Sequence, residues 1–84
     1  MQKHNKNQIR WACRRGMLEL DQFLMRFFDD CYDGLSAAEQ NTFVLLLEEA
    51  DQDLYNWLLG VCQCPDPQLQ AFCDRIRAHA QQTF

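Results

Sequence analysis

Apolar residues recur along this chain at three- and four-residue intervals and almost never in strict alternation, so the pattern predicts helices and no sheet. The clearest run is Met17, Leu20, Leu24, Phe27, Phe28 and Cys31, which predicts a helix from about Met17 to Tyr32. Glu19 and Asp21 fall in its first turn, where negative charge complements the helix dipole. A shorter helix precedes it, roughly Lys6 to Arg14, followed by Gly16 as a residue able to take the left-handed conformation that closes a helix end. Asp33-Gly34 reads as a turn, and Ser36-Ala37-Ala38-Glu39 has the spacing of a capping box that opens a third helix. The buried stripe of that helix is Phe43, Leu46, Leu47 and Ala50. Asp51 is a natural cap for a fourth helix carrying Leu54, Trp57, Leu58 and Val61, with Gly60 near its end. Two prolines break Cys62 to Pro67, but Asp66-Pro67 pairs a cap with a first-turn proline. The fifth helix then places Leu69, Phe72, Cys73, Ile76 and Ala80 inward, and Ala80 to Phe84 is expected to fray.

Five short helices in 84 residues make one all-α bundle and a single domain over residues 1–84. With 48% apolar and 24% charged residues the composition is that of a folding chain rather than a disordered one. An interior this small leaves little room to enclose a substrate, so function is expected on the surface. The 12 acidic residues outnumber the 8 basic ones, and six of the basic residues lie in the first 26 positions. That balance argues against a nucleic-acid partner, whose phosphates demand a basic excess. A helical DNA-binding module would have to set Arg10, Arg14 and Arg15 on phosphates against this acidic remainder. The longest apolar run, Phe43 to Leu47, is far below the roughly 20 residues that span a bilayer. An odd count of five cysteines and the absence of an apolar leader point to a reduced cytoplasmic setting.

Candidate chemistry is sparse. Cys62-x-Cys64, with Cys73 and His79, could in principle hold a soft metal, but the second short-spaced ligand pair of a structural zinc site is missing, and a reduced loop is the stronger reading. Cys13, Cys31 and Cys73 sit on or beside apolar stripes, where cysteine behaves as a small hydrophobe. His4 and His79 have no nucleophile or carboxylate at a telling spacing and read as surface histidines. The clusters Asp29-Asp30-Asp33 and Glu48-Glu49-Asp51-Asp53 read as solvated helix ends. Three glycines provide no phosphate cradle.

The segment Arg14-Arg15-Gly16-Met17-Leu18-Glu19-Leu20-Asp21 differs in kind, because two positive and two negative charges meet across a helix-helix corner. One reading is a helix stop and start in which Arg15 or Arg14 pairs locally with Glu19. The other is a projecting contact surface: Gly16 permits close backbone approach, Arg15 offers a bidentate guanidinium and Glu19 a carboxylate to another protein. Residue chemistry alone leaves the two level.

The same segment resembles the Arg-Gly-x-x-Glu pattern of the succinate dehydrogenase assembly factors, or flavinylation factors, here Arg15-Gly16-Met17-Leu18-Glu19. The resemblance extends through Phe27-Phe28, the helix from Leu35-Ser36 to Leu47 with its Glu48-Glu49 end, and Asp51 to Trp57-Leu58. It implies a compact five-helix fold and a non-enzymatic, chaperone-like task. Such a factor binds the flavoprotein subunit of succinate dehydrogenase or fumarate reductase and promotes covalent attachment of FAD to a histidine of that subunit. By the resemblance, Arg15, Gly16 and Glu19 are the partner-binding residues, with Arg14 and Asp21 as neighbours in the contact. No catalytic residue, metal or stably bound cofactor is expected in this chain. A monomer is expected, with dimers left open, and an antitoxin-like regulatory protein-binding module is the alternative.

Overall fold

A computed structural model describes residues 5–83, so His4 and Phe84 lie outside it. Five helices follow one another: α1 (Lys6–Ala12), α2 (Leu18–Cys31), α3 (Ala37–Leu47), α4 (Asp51–Leu58) and α5 (Pro67–Thr83), with a single 3₁₀ turn at Tyr32–Gly34. No strand occurs among the described residues. The predicted starts hold best where a side chain caps the backbone. Ser36 accepts from the Glu39 amide at 3.1 Å, and Glu39 accepts from the Ser36 amide at 2.8 Å, the reciprocal capping box that the spacing predicts. Asp66 Oδ1 accepts from the Gln68 amide at 2.9 Å, and Pro67 opens α5 with no amide to satisfy.

The helix ends depart from the periodic pattern in informative ways. Helix α1 stops at Ala12 rather than Arg14, because the amides of Cys13 and Arg14 turn back to the carbonyls of Arg10 and Trp11, three residues earlier. Gly16 has the expected positive φ of 83°, but it lies beyond the close of α1 and turns the chain into α2. Ala50 is exposed and forms the N-cap of α4, while Asp51 is the first helical residue and not the cap. Val61 is 66% exposed: Gly60, at φ 80°, ends α4, and the Val61 amide returns to the Asn56 carbonyl at 2.8 Å in a Schellman-type closure. Helix α5 continues past the expected fraying point, and Ala80 is buried within it.

Aromatic rings from three helices fill the centre. Phe43 of α3 is fully buried, with ring centroids 5.8 Å from Phe27, 6.3 Å from Phe28 and 5.9 Å from Phe72. Phe72 meets Phe27 edge-on at 5.6 Å, the geometry favoured by the ring quadrupoles. Leu20, Leu24, Leu46, Leu54, Leu58 and Ile76 are wholly inaccessible around them. The radius of gyration, 11.8 Å, is that of a closed domain of this length.

The acidic run at the end of α2 does more than face water. Asp29 takes two bonds from Arg10 at 2.8 and 3.1 Å, Asp33 meets Lys6 at 2.7 Å, and Asp30 meets His79 Nε2 at 3.0 Å. These contacts tie α1 and α5 to the same end of α2. His79 is correspondingly not a solvated surface residue: its side chain is 14% exposed and stands edge-on to Phe27. The bonds from Arg10 hold the Asp29 carboxyl below its ordinary range, and Arg10 is raised in return. All five cysteines are free, with Cys13 and Cys73 fully buried.

Replacing Phe43 removes the ring shared by three helices. Phe43→Ala is expected to cost about 3–5 kcal/mol in chemical denaturation, a large share of the roughly 4–13 kcal/mol available to a domain of this size. A midpoint close to wild type would show that the ring cluster does not organise the core.

Candidate functional site

The corner between α1 and α2 is built around the Arg15 side chain, which is only 13% exposed. Its Nε donates to Asp51 Oδ1 at 2.8 Å, its Nη1 to the carbonyls of Ala12 and Leu47 at 2.8 and 2.9 Å, and its Nη2 to the Glu49 carbonyl at 2.7 Å. Ala12 and Leu47 are the last residues of α1 and α3, so the cation sits where two helices leave carbonyls without intrahelical donors. Asp51, in the first turn of α4, puts its negative charge at the positive end of a third helix. The carboxylate that Arg15 meets is therefore the chain's own, across 36 positions of sequence.

Asp21 secures the same corner from the other side. Its carboxylate accepts the Arg15 amide at 2.7 Å and the Gly16 amide at 3.2 Å, so the first turn of α2 satisfies the loop that precedes it. The local pairing of Arg14 or Arg15 with Glu19 does not form. Glu19 is exposed, and its Oε1 accepts from the Tyr55 hydroxyl of α4 at 3.3 Å. A Cβ placed on Gly16 would meet nothing within 4 Å. The demand for glycine within this chain is thus conformational, set by positive φ, and the space in front of it is open.

The structure brings the five sequence-predicted residues into one corner but gives them two orientations. Arg15 and Asp21 point into it and hold it; Arg14, Gly16 and Glu19 lie on its exposed side. Sequence reasoning missed Asp51 and Tyr55 as parts of the corner, and no local signal announces a contact across 36 residues. It also passed over Trp11, although Ile9 and Cys13 are buried four residues apart and leave Trp11 on the opposite face of α1.

Elsewhere the chemistry is muted. Burial pushes the Cys13 and Cys73 thiols up to about 12, so both stay protonated and inert as nucleophiles at neutral pH. A cavity of about 500 Å³ beside the Cys62–Cys64 loop is lined by Glu49, Asp53, Trp57, Cys64 and Leu69, and by none of residues 14–21. Among the described residues, no group of three or more histidine, cysteine or acidic side chains is placed to hold a metal ion.

The bundle recurs in the solution structure of a UPF0350 protein, which superposes with a TM-score of 0.75 at 45% identity over 99% of this chain and 89% of that one. Fold and corner together define a small helical protein whose charged feature is a helix-helix junction rather than an enclosed pocket. The chain belongs to the family described as flavinator of succinate dehydrogenase, whose model matches residues 7–80. It is 51% identical over 74 residues to the FAD assembly factor SdhE of Vibrio cholerae, covering 88% of this chain and 86% of that protein. The FAD assembly factor SdhE of Shewanella oneidensis is 42% identical over 80 residues, 95% of this chain and 98% of that one.

Arg15→Ala leaves three carbonyls and Asp51 without their donor, an expected loss of about 3 kcal/mol and roughly 12–24 °C in Tm. Arg15→Lys recovers little of it, because an ammonium cannot reach acceptors spread around a planar fork. Thermal unfolding followed by circular dichroism reads both, and an unshifted Arg15→Ala transition would refute the clamp.

Proposed function

We propose that this protein is an assembly factor that binds the flavoprotein subunit of succinate dehydrogenase, or of the related fumarate reductase, and promotes covalent attachment of FAD to it. The reading rests first on membership of the flavinator family across residues 7–80, together with relatives named FAD assembly factors. Those names favour it over the antitoxin-like alternative. The observation in the structure that supports it is the corner itself, where an open glycine and an exposed carboxylate stand on a backbone clamped from within.

In this reading the factor is not an enzyme. The modified histidine belongs to the partner, and neither His4 nor His79 takes its place. FAD likewise remains with the flavoprotein, and this chain holds no cofactor of its own. Arg14, Gly16 and Glu19 face the partner, while Arg15 and Asp21 act by keeping them in register. Docking holds the flavoprotein in a conformation that brings its histidine against the flavin methyl group, so the gain in rate comes from proximity. Glu19 orients a partner side chain through a charge-assisted hydrogen bond, with Tyr55 fixing its direction. The free cysteines fit action in the reducing bacterial cytoplasm.

The test is covalent flavin, read as fluorescence of the denatured flavoprotein subunit after assembly with each variant. Glu19→Ala is expected to fold normally and to lower the signal by about tenfold or more, as expected when a charged contact at the centre of an interface is removed. Gly16→Arg, which fills the open space in front of the loop and strains a positive-φ position, is expected to lower the signal as well, with some loss of Tm. Wild-type fluorescence with both variants would refute the reading.

A further inference from the structure

Of the four exposed large apolar side chains, Trp11, Leu18, Leu45 and Val61, the two that stand furthest out, Trp11 at 72% and Leu18 at 74%, belong to the last turn of α1 and the first turn of α2. Over Trp11 lies the guanidinium of Arg14, with Cζ 5.5 Å from the ring centroid. Arg10, Arg15 and Arg75 are each engaged by a carboxylate of this chain, whereas the Arg14 side chain has no ion-pair or hydrogen-bond partner among the described residues. Cation–π attraction takes up none of the guanidinium N–H groups in hydrogen bonding, so they stay available to a bidentate acceptor.

We infer that the Trp11–Arg14 cation–π pair, together with the exposed Leu18 of the first turn of α2, is the part of the corner that reads the flavoprotein. Arg14 takes a carboxylate of that subunit, and Trp11 and Leu18 enter an apolar depression next to it. The inference rests on the assembly-factor reading and adds to it the residues that supply affinity and the chemistry they select. Tryptophan and arginine are the residue types enriched among those that dominate binding energy at protein interfaces: the ring presents a large rigid area, and the guanidinium a planar fork of donors. Glu19, also exposed and beyond Gly16 in sequence, carries the opposite sign, so the two charges fix the orientation in which a partner can dock. Nothing of this chain stands in front of Gly16 to hinder the approach. Since Arg15 is engaged on the inside, the guanidinium offered to the partner by this motif is that of Arg14.

The experiment is calorimetric titration of the full chain into purified succinate dehydrogenase flavoprotein subunit, with Trp11→Ala, Arg14→Glu and Gly16→Arg alongside wild type. Trp11→Ala and Arg14→Glu are expected to raise Kd by about thirtyfold each with unchanged Tm, since both side chains are exposed. If both bind within about twofold of wild type while Gly16→Arg does not bind, the inference fails and the assembly-factor reading stands. If all three bind normally the inference also fails, and if wild type itself does not bind the subunit the assembly-factor reading fails with it. Sedimentation of the chain alone covers the other occupant: a Trp11→Ala effect confined to self-association would assign the patch to a second copy and overturn the proposal. A loss of binding that appears only with a lowered Tm would equally count against it.

Discussion

One cation holds the junction of α1, α3 and α4 together. The Arg15 guanidinium accepts no charge-neutral substitute, because its donors are directed at once to the ends of α1 and α3, the loop after α3 and the first turn of α4. Helix α1 has only seven residues and α4 only eight, lengths at which helices are not stable by themselves in water. Each needs tertiary support at its ends, and a single side chain supplies it to both. The arrangement works because the carbonyl ends of α1 and α3 and the amide end of α4 converge, so that positive and negative groups alternate through the junction.

That internal clamp separates two tasks which the sequence motif runs together. Arg15 and Asp21 look inward and fix the backbone of the Arg-Gly-x-x-Glu segment; Gly16 and Glu19 occupy the outward side of the same few residues. The family's motif is therefore read here as a geometric unit rather than as a row of contacts. A guanidinium that is 13% exposed does not need to touch a partner to matter to it. It can act by setting where Glu19, Arg14 and the positive-φ glycine stand.

Features controlled by neighbours in sequence were legible in advance. The Ser36–Glu39 capping box, the Asp66–Pro67 start and the inner face of α2 all depend on groups within about one helical turn of each other, and all are present. The five-helix count follows from them. Extrapolating periodicity past a helix end failed: Ala50 and Val61 fit the spacing but fall on a cap and beyond a glycine turn, where 3.6 residues per turn no longer applies. Asp29, Asp30 and Asp33 looked solvated because their partners on α1 and α5 are remote in sequence. The corner was visible as a cluster of charges, but the Arg15–Asp51 contact that gives it shape depends on packing of helices whose order, not whose sequence, brings them together.

In the proposed function, the clamped corner is the face that meets the flavoprotein. Amide hydrogen exchange of the chain, alone and mixed with the succinate dehydrogenase flavoprotein subunit, addresses it without altering a residue. If the corner docks, complex formation slows exchange in the segment from Trp11 to Glu19 and leaves the Cys62 to Leu69 region unchanged. Protection confined to that second region, with the corner exchanging as in the free protein, would contradict it.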